Sequence, residues 1–424
     1  MKKYVLIMIL LFTITVKAET ITISSNTSIS EQTIEEKRDK ASNIIIDKGN
    51  LKIENSTLRK EGNGELGKFN NSAIFVNNNS KLNTSHLEIS TSGTYANGIY
   101  LKSNSECSID NSTIITDKEY SVGIINDGGK AILNNTTVET REHDSSGIYS
   151  IGGKTEISNS NIKSLSVDSP LLQVAANIEI YDSKLLANSS EGIVAIPGAN
   201  ITIDKTTLDS NNMMAKDGSF RNILLYNPNS ELFKGEIHFN AKNSNLTARL
   251  GNTFNIMNAV VKINLYNNEI SNSNGIFLKT YNDELVDINN NVELNLDKQI
   301  IKGSIELVKE DILNLTLDKS EFNGSINANN IAQEVNITLS KDSKLTLTGN
   351  SYVTSLTNGD YENSNINLNG YKLYIKGEEI SKDNIKRLND NNDNLYVVLG
   401  LIVGIILGFS VVYLLFRTRF FKKK

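Results

Sequence analysis

Three acids at a recurring bend are the residues whose type and spacing come nearest to doing chemistry. Asp110, Asp182 and Asp204 fall at what reads as one bend position in successive repeats. Carboxylates on neighbouring repeats could share acid and base work on a glycosidic bond, with their separation setting the mechanism. The repeats between them carry Asn134 and Ser158 there, so the acids are dispersed and read as solvated turn residues. Three histidines, His86, His143 and His238, are too few and too scattered for a metal site of recognisable spacing. The one cysteine, Cys107, alternates inward and reads as a small core residue rather than a reactive thiol. There is no nucleophile elbow, phosphate loop or calcium nonapeptide. No catalytic residue, metal ligand or cofactor site is therefore expected.

What must position these acids is a repeat. The pattern apolar–x–(Asn/Asp/Thr)–(Ser/Thr/Lys)–x–apolar occurs at 53–58, 82–87, 109–114, 133–138, 157–162, 180–185 and, with Lys205 at the third place, 203–208. The steps between first residues are 29, 27, 24, 24, 23 and 23. A period of this length marks a stack of similar units. In Cys107-Ser108-Ile109-Asp110-Asn111-Ser112-Thr113-Ile114 the alternation of a half-buried strand breaks across Asp110 to Thr113 and restarts. A bend belongs there, and Asn tolerates the left-handed backbone it needs. Gly98-Ile99-Tyr100, Gly123-Ile124-Ile125, Gly147-Ile148-Tyr149 and Gly192-Ile193-Val194 mark a second strand, with Gly275-Ile276-Phe277 repeating it later. Gly128-Gly129-Lys130 and Gly152-Gly153-Lys154 mark a turn. All these glycines are expected to supply positive φ. The pattern returns at 241–246, 265–270 and 317–322, so 210–330 reads as irregular rungs with loop insertions.

One rung cannot stand alone. Its apolar side chains contribute about 2 kcal/mol each, while ordering costs about 1.5 kcal/mol per residue, so stability must come from stacking. The expected fold is all-β: a right-handed parallel β-helix (solenoid) of about a dozen rungs, plus one C-terminal transmembrane α-helix.

The two ends suggest a place for the rod. Residues 1–18 read as a signal peptide: Lys2 and Lys3, an apolar run from Tyr4 to Val16, and Val16-Lys17-Ala18 before the cut. Residues 395–416 carry no charge and are long enough to span a bilayer. The basic tail 417–424 holds Arg417, Arg419 and three lysines, while Asp390 and Asp393 precede the span; the positive-inside rule puts that tail in the cytoplasm. The ectodomain is then 19–377 and a polar stalk 378–394. Gly400, Gly404 and Gly408 share one helix face and are candidates for self-association as a homo-oligomer.

Removing three lysines of the signal peptide and five basic residues of the tail leaves 35 basic against 48 acidic residues. Nucleic acid and other polyanions are poor partners for such an ectodomain. A single cysteine excludes an intramolecular disulfide. Many Asn-x-Ser/Thr sequons, such as Asn55-Ser56-Thr57 and Asn111-Ser112-Thr113, coincide with the bend, so turn chemistry accounts for them without glycans.

Ala96-Asn97-Gly98-Ile99-Tyr100, the Gly-Gly-Lys turns, the Asn-rich bends and Lys344 to Leu356 resemble the passenger domains of bacterial autotransporters, the pertactin-like and diffuse-adherence-adhesin-like group. Ile366 to Ile375 resembles the stretch that follows in that family, and the resemblance covers about residues 41 to 376. It implies a surface adhesin with a β-helical passenger. The chain departs from the family by ending in one apolar segment and a Lys tail rather than in the alternating strands of a membrane β-barrel. The expected function is a membrane-tethered rod that binds a surface glycan or protein polyvalently, without catalysis. Its specificity is expected in the loops Glu142–Ser146 and Asn211–Phe220. The rivals are a polysaccharide-degrading β-helix enzyme (lyase or glycosidase) and a purely structural spacer. In a one-membrane cell the rod faces the exterior; in a two-membrane cell it faces the periplasm unless moved on.

Overall fold

The computed structural model describes residues 15–17, 19–211, 220–283, 286 and 288–380. The chain winds as a right-handed parallel β-solenoid of about 14 turns, somewhat longer than the dozen expected. At the strand spacing of about 4.8 Å this makes a rod about 60 Å long. Each turn contributes three strands. In one turn the first ladder holds Asn200–Asp204 and the second Thr207–Ser210; the third ladder of the following turn holds Arg221–Tyr226. Strands such as Asn50–Lys60 and Lys81–Thr91 run through the corner between the first two ladders. At the N-terminal end the backbone of Thr15–Lys17 pairs in parallel with Thr33, Ile34 and Glu35. At the other end Glu378–Ile380 pairs antiparallel with Leu373–Ile375. The first three residues assigned above to the stalk therefore belong to the rod, which closes on an antiparallel strand. The rest of the stalk, the expected signal peptide at 1–14 and 18, the expected spanning segment 395–416 with Gly400, Gly404 and Gly408, and the tail lie outside the described residues. Among the described residues no helix is long and apolar enough to cross a membrane.

The bend between the first and second ladders works as the sequence suggests. Asn55, Asn111, Asn135, Asn159, Asn243 and Asn267 all have φ near +50°. Glu31, His86, Asp182, Lys205, Lys298 and Lys319 hold the same conformation in other turns, at a cost of about 1–2 kcal/mol relative to a right-handed backbone. The residue after the bend is buried and hydroxylic. Ser160 Oγ accepts the Thr136 amide (3.0 Å) and donates to the Ser158 carbonyl (2.6 Å). The Ser160 amide in turn donates to Ser183 Oγ (3.1 Å), and Ser183's amide to Thr206 Oγ1 (3.2 Å). A ladder of hydroxyls thus satisfies amides that the tight turn leaves without a strand partner. It continues through Asn268 and Gln299, whose longer side chains reach the same amides.

The strand alignment corrects three sequence readings. The motif at 82–87 is two residues out of step. Leu51 pairs with Leu82 and Ile53 with Thr84, so the bend of that turn is His86 and Leu87 fills the serine position. Thr84 and Leu87 have exchanged polar and apolar roles inside the rod, and the Thr84 hydroxyl lies 3.2 Å from that of Ser112. Asp182 is likewise not equivalent to Asp110 and Asp204. Asp110, Asn134, Ser158, Tyr181 and Asp204 form one outward column, whereas Asp182 is the left-handed residue after it. The region after 210 is also more regular than expected. Ile201, Phe239, Ile263, Leu294, Leu315 and Ile337 stack in unbroken register, although the sequence steps between them are 38, 24, 31, 21 and 22. Insertions are absorbed at the corners, where no ladder bond is lost.

The glycines divide into two kinds. Gly128 and Gly153 do have positive φ. Gly98, Gly123, Gly147 and Gly192 do not; they are small because a neighbouring turn lies where a Cβ would be. Gly275 is a turn glycine at φ +73° and stands two residues ahead of that column, where Phe277 sits instead.

One buried charge stands out. Lys60 is completely enclosed, and its ammonium donates to the carbonyls of Arg38 (2.9 Å) and Gly62 (2.8 Å). Burial pulls its pKa down to about 8, with nearby Glu36 and Asp39 opposing this. The unfolded chain titrates this group near 10.4, so between those values the unfolded state holds the extra proton and stability rises with pH. The gain is at most about 3 kcal/mol, fully developed near pH 10.4. Above pH 10 the raised pKa of Tyr100, caused by burial and its bond to Asp127, works in the opposite sense. Buried Cys107, whose thiol is pushed up to about 12, opposes the gain already above about pH 8.5, so the test is made in Cys107→Ala, where urea midpoints are expected to increase from pH 7.5 to 9.5. The increase should vanish when Lys60→Met is added; an equal rise in both would assign it elsewhere.

Candidate binding groove

The outer surface of the rod differs from ladder to ladder. Outside the first turns of the third ladder it is apolar, and farther on it turns polar with Asn255, Lys279 and Glu306. Tyr100 stacks on Phe75 (centroids 5.1 Å apart), and Phe69, carried in on the excursion 61–71, packs edge-on against Tyr100 and Tyr149. The second ladder carries charges paired between turns, such as Arg59 with Glu35 and Arg141 with Asp117, and Arg141 also meets Glu139 of its own turn. The first ladder is mostly polar and holds a groove.

That groove crosses four turns and has a volume of about 330 Å³. Thr202, Asn240, Asn264 and Asn295 form one wall, in register across successive turns. The amides are coupled: Asn264 Nδ2 donates to Asn240 Oδ1 (2.8 Å) and Asn295 Nδ2 to Asn264 Oδ1 (2.9 Å). Asn295 also donates to Glu293 (2.8 Å). Burial pushes the Glu293 pKa up, but bonds from Lys262 and Asn295 outweigh it, so its net shift is downward.

The second wall is the column two residues on: Lys242, Tyr266 and Asp297, continuing the line of Asp204. Lys242 is paired with Asp204 at 3.2 Å. Lys298 donates to the Tyr266 hydroxyl (3.0 Å) with its ammonium 5.1 Å from the ring centroid. That bond is the main reason its pKa is raised. Asp297 differs from its neighbours. Its Oδ1 is shut off from solvent and accepts no hydrogen bond. Leaving a carboxylate oxygen in that state is costly. Asp318 follows Asp297 in the same column, on the adjacent turn.

Of the acids singled out from the sequence, only Asp204 has a side chain in contact with this groove's wall, through Lys242. Asp110 lies four turns away, bonded to Asn134 Nδ2 (2.7 Å), and Asp182 serves the bend. Asp297 went unnoticed because its turn writes the bend as Lys298-Gln299 in place of Asn-Ser. The signal was available in the alternation Val292-Glu293-Leu294-Asn295-Leu296-Asp297, which places all three polar residues on one face. The histidines are dispersed as expected. His143 sits between Glu119 and Asp144 (2.9 Å each), and its pKa is raised chiefly by the Asp144 bond. Cys107 is buried in the core, its thiol pushed up to about 12 by burial. The expected loop 142–146 proves to be an ordinary corner: Ser145 and Ser146 are buried, and Ser145 Oγ accepts the Ser121 amide (3.0 Å). Of 211–220, residues 212–219 lie outside the described residues. Among the described residues no group of three His, Cys, Asp or Glu is placed to hold a metal ion.

With the register of the turns in hand, the comparisons with known proteins fit the same geometry. Residues 72–230 match the family model for a right handed beta helix region. No curated protein and no solved structure matches the chain. The matched segment spans the turns in which bend, glycine column and hydroxyl ladder are most regular, and ends where corner insertions begin to vary the step.

Proposed function

We propose that this chain is an extended surface rod, exported behind the segment 1–18 and tethered by 395–416, which binds a surface glycan or protein by many weak polar contacts and without catalysis. It is the autotransporter passenger architecture carried on a membrane anchor. The observation that carries this reading is the first ladder, in register over a rod of about 14 turns and polar on most of its outer face (Ile132 is an exception), in which outward side chains repeat at about 4.8 Å. Such spacing lets one extended ligand make the same contact several times, which multiplies weak affinities. Binding of this kind needs rigidity rather than a reactive group, and the stacked asparagines hold each other in place.

The glycosidase alternative draws on one observation. Asp297 and Asp318 stand on adjacent turns, and a backbone spacing of about 4.8 Å is compatible with the separation of about 5–5.5 Å between carboxylates of retaining glycosidases. Asp318 is freely exposed, which suits a solvated turn better than a proton-donating acid.

Protease treatment of intact cells, read by mass spectrometry for peptides from 98–330, tests the exposed-rod reading. Cutting in the segment 381–394 and release of the rod is the expected result. Full protection that disappears on opening the outer envelope would instead make the rod periplasmic and end the case for surface adhesion.

A further inference from the structure

We propose that the groove lined by Asn240, Asn264, Asn295, Lys242, Tyr266 and Asp297 binds a neutral oligosaccharide lying along the rod axis. The inference names the ligand of the rod proposed above and rests on that reading. Four features select this chemistry. The first is the half-exposed Asp297 carboxylate in the second wall, which takes no hydrogen bond from the protein; Oδ1 is shut off from solvent, so a ligand meets it through the other oxygen. A sugar hydroxyl supplies a donor without bringing a charge into the groove. The second is repetition: amide side chains recur at about 4.8 Å along one wall, close to the length of one ring in a pyranose chain. Amides both donate and accept, as hydroxyl recognition requires. The third is Tyr266, whose ring stands in the opposite wall between Lys242 and Asp297 and can cover the apolar face of a ring. The fourth is charge. Lys242 is paired with Asp204, and Lys298 stands beside Tyr266 and Asp297, so the charges along this wall balance. A neutral chain leaves that balance undisturbed, whereas an acidic one would have to compete with Asp204 and Asp297 for the same lysines.

The size agrees. A volume of about 330 Å³ is at the small end of ligand sites. Four turns give a wall about 14 Å long, enough for about three rings. The floor is the backbone of Ile203, Ala241 and Leu265, whose side chains point into the core, so the groove is preformed by the register of the turns. Binding therefore costs little ordering of the protein.

The test uses the full chain in detergent on an array of neutral and acidic oligosaccharides, followed by calorimetry with the strongest neutral compound. The expected result is binding of neutral chains of about three rings or more, weakened at least about tenfold by Asp297→Leu and by Tyr266→Ala. Tyr266→Phe, which keeps the ring, should bind nearly as the wild type. Thermal melting of each variant is measured alongside, and Asp297→Asn replaces Asp297→Leu if the latter melts early. Binding of acidic compounds alone, no binding, or affinity unchanged in both variants would overturn the proposal. The two readings fail separately. Cells that adhere equally well with either groove variant would sink the groove and leave the adhesive rod. An oligosaccharide bound and cut into smaller products would keep the groove and sink the non-catalytic reading.

Discussion

Replacing Phe254 by alanine is expected to destabilise the rod by about 4 kcal/mol, the largest loss of any single core truncation considered. Phe254 is completely buried on the third ladder, where it pairs with Ile223 of the preceding turn and Leu278 of the next. Its ring meets Phe239 across the core (centroids 5.2 Å, planes at 82°) and Phe277 of the following turn (5.5 Å, 75°). Truncation removes both edge-to-face pairs, worth about 1 kcal/mol each, and leaves a cavity that fixed strands cannot close. Because each turn is stabilised mainly by its neighbours, the loss is local and weakens the coupling between the two halves of the rod. A single urea transition should shift to lower denaturant and split, with the turns on either side of 254 melting separately. Phe254→Leu should recover most of the stability. An unchanged midpoint in Phe254→Ala would mean that the three-ring cluster is not the joint it looks to be.

Gly123→Ala is expected to cost at least about 3 kcal/mol, at the upper end of overpacking effects. A Cβ at Gly123 would lie 2.4 Å from Val138 Cγ1 and 2.5 Å from the Gly147 carbonyl oxygen. The valine can rotate; the carbonyl cannot, because it accepts the Ile124 amide at 3.1 Å in the ladder between turns. One methyl therefore forces a shift of backbone in two turns at once. Gly275→Asn is the control. Gly275 has φ +73° and open space around its would-be Cβ, and asparagine tolerates that conformation. Thermal melting should separate the two by many degrees. Equal, small effects would show that the close approach of turns at Gly123 relaxes easily.

Those two glycines also show how far the sequence could be read. Gly123 and Gly275 both precede Ile and an apolar or aromatic residue, and sequence alone treats them as one motif with one cause. Register separates them, because only the stacking of Gly98, Gly123 and Gly147 reveals that the first is small to admit a neighbour. The same holds for the acids. Asp110 and Asp204 do share a column, as their spacing suggests, yet Asp182 falls one residue off it and serves a left-handed bend. Asp297, which has the orphaned oxygen, stands on a turn where Lys298 and Gln299 replace the usual Asn and Ser. Lysine can hold the left-handed bend and glutamine can reach the buried amide, so the structure is kept while the written pattern disappears.

The sequence by itself determined the architecture. A strand alternation interrupted by Asn and restarted about every 24 residues can satisfy its backbone and bury its apolar face only by stacking. It also determined that Cys107 points inward and that the histidines are dispersed. Tertiary structure alone decided which outward residues meet. Neighbours along the rod are separated in the chain by 18 to 38 residues, and corner insertions change that number from turn to turn. The ladder bonds hold the strands in step regardless of those insertions. A groove wall such as Asn240, Asn264 and Asn295 is therefore set by backbone register, a quantity no fixed spacing in the sequence expresses.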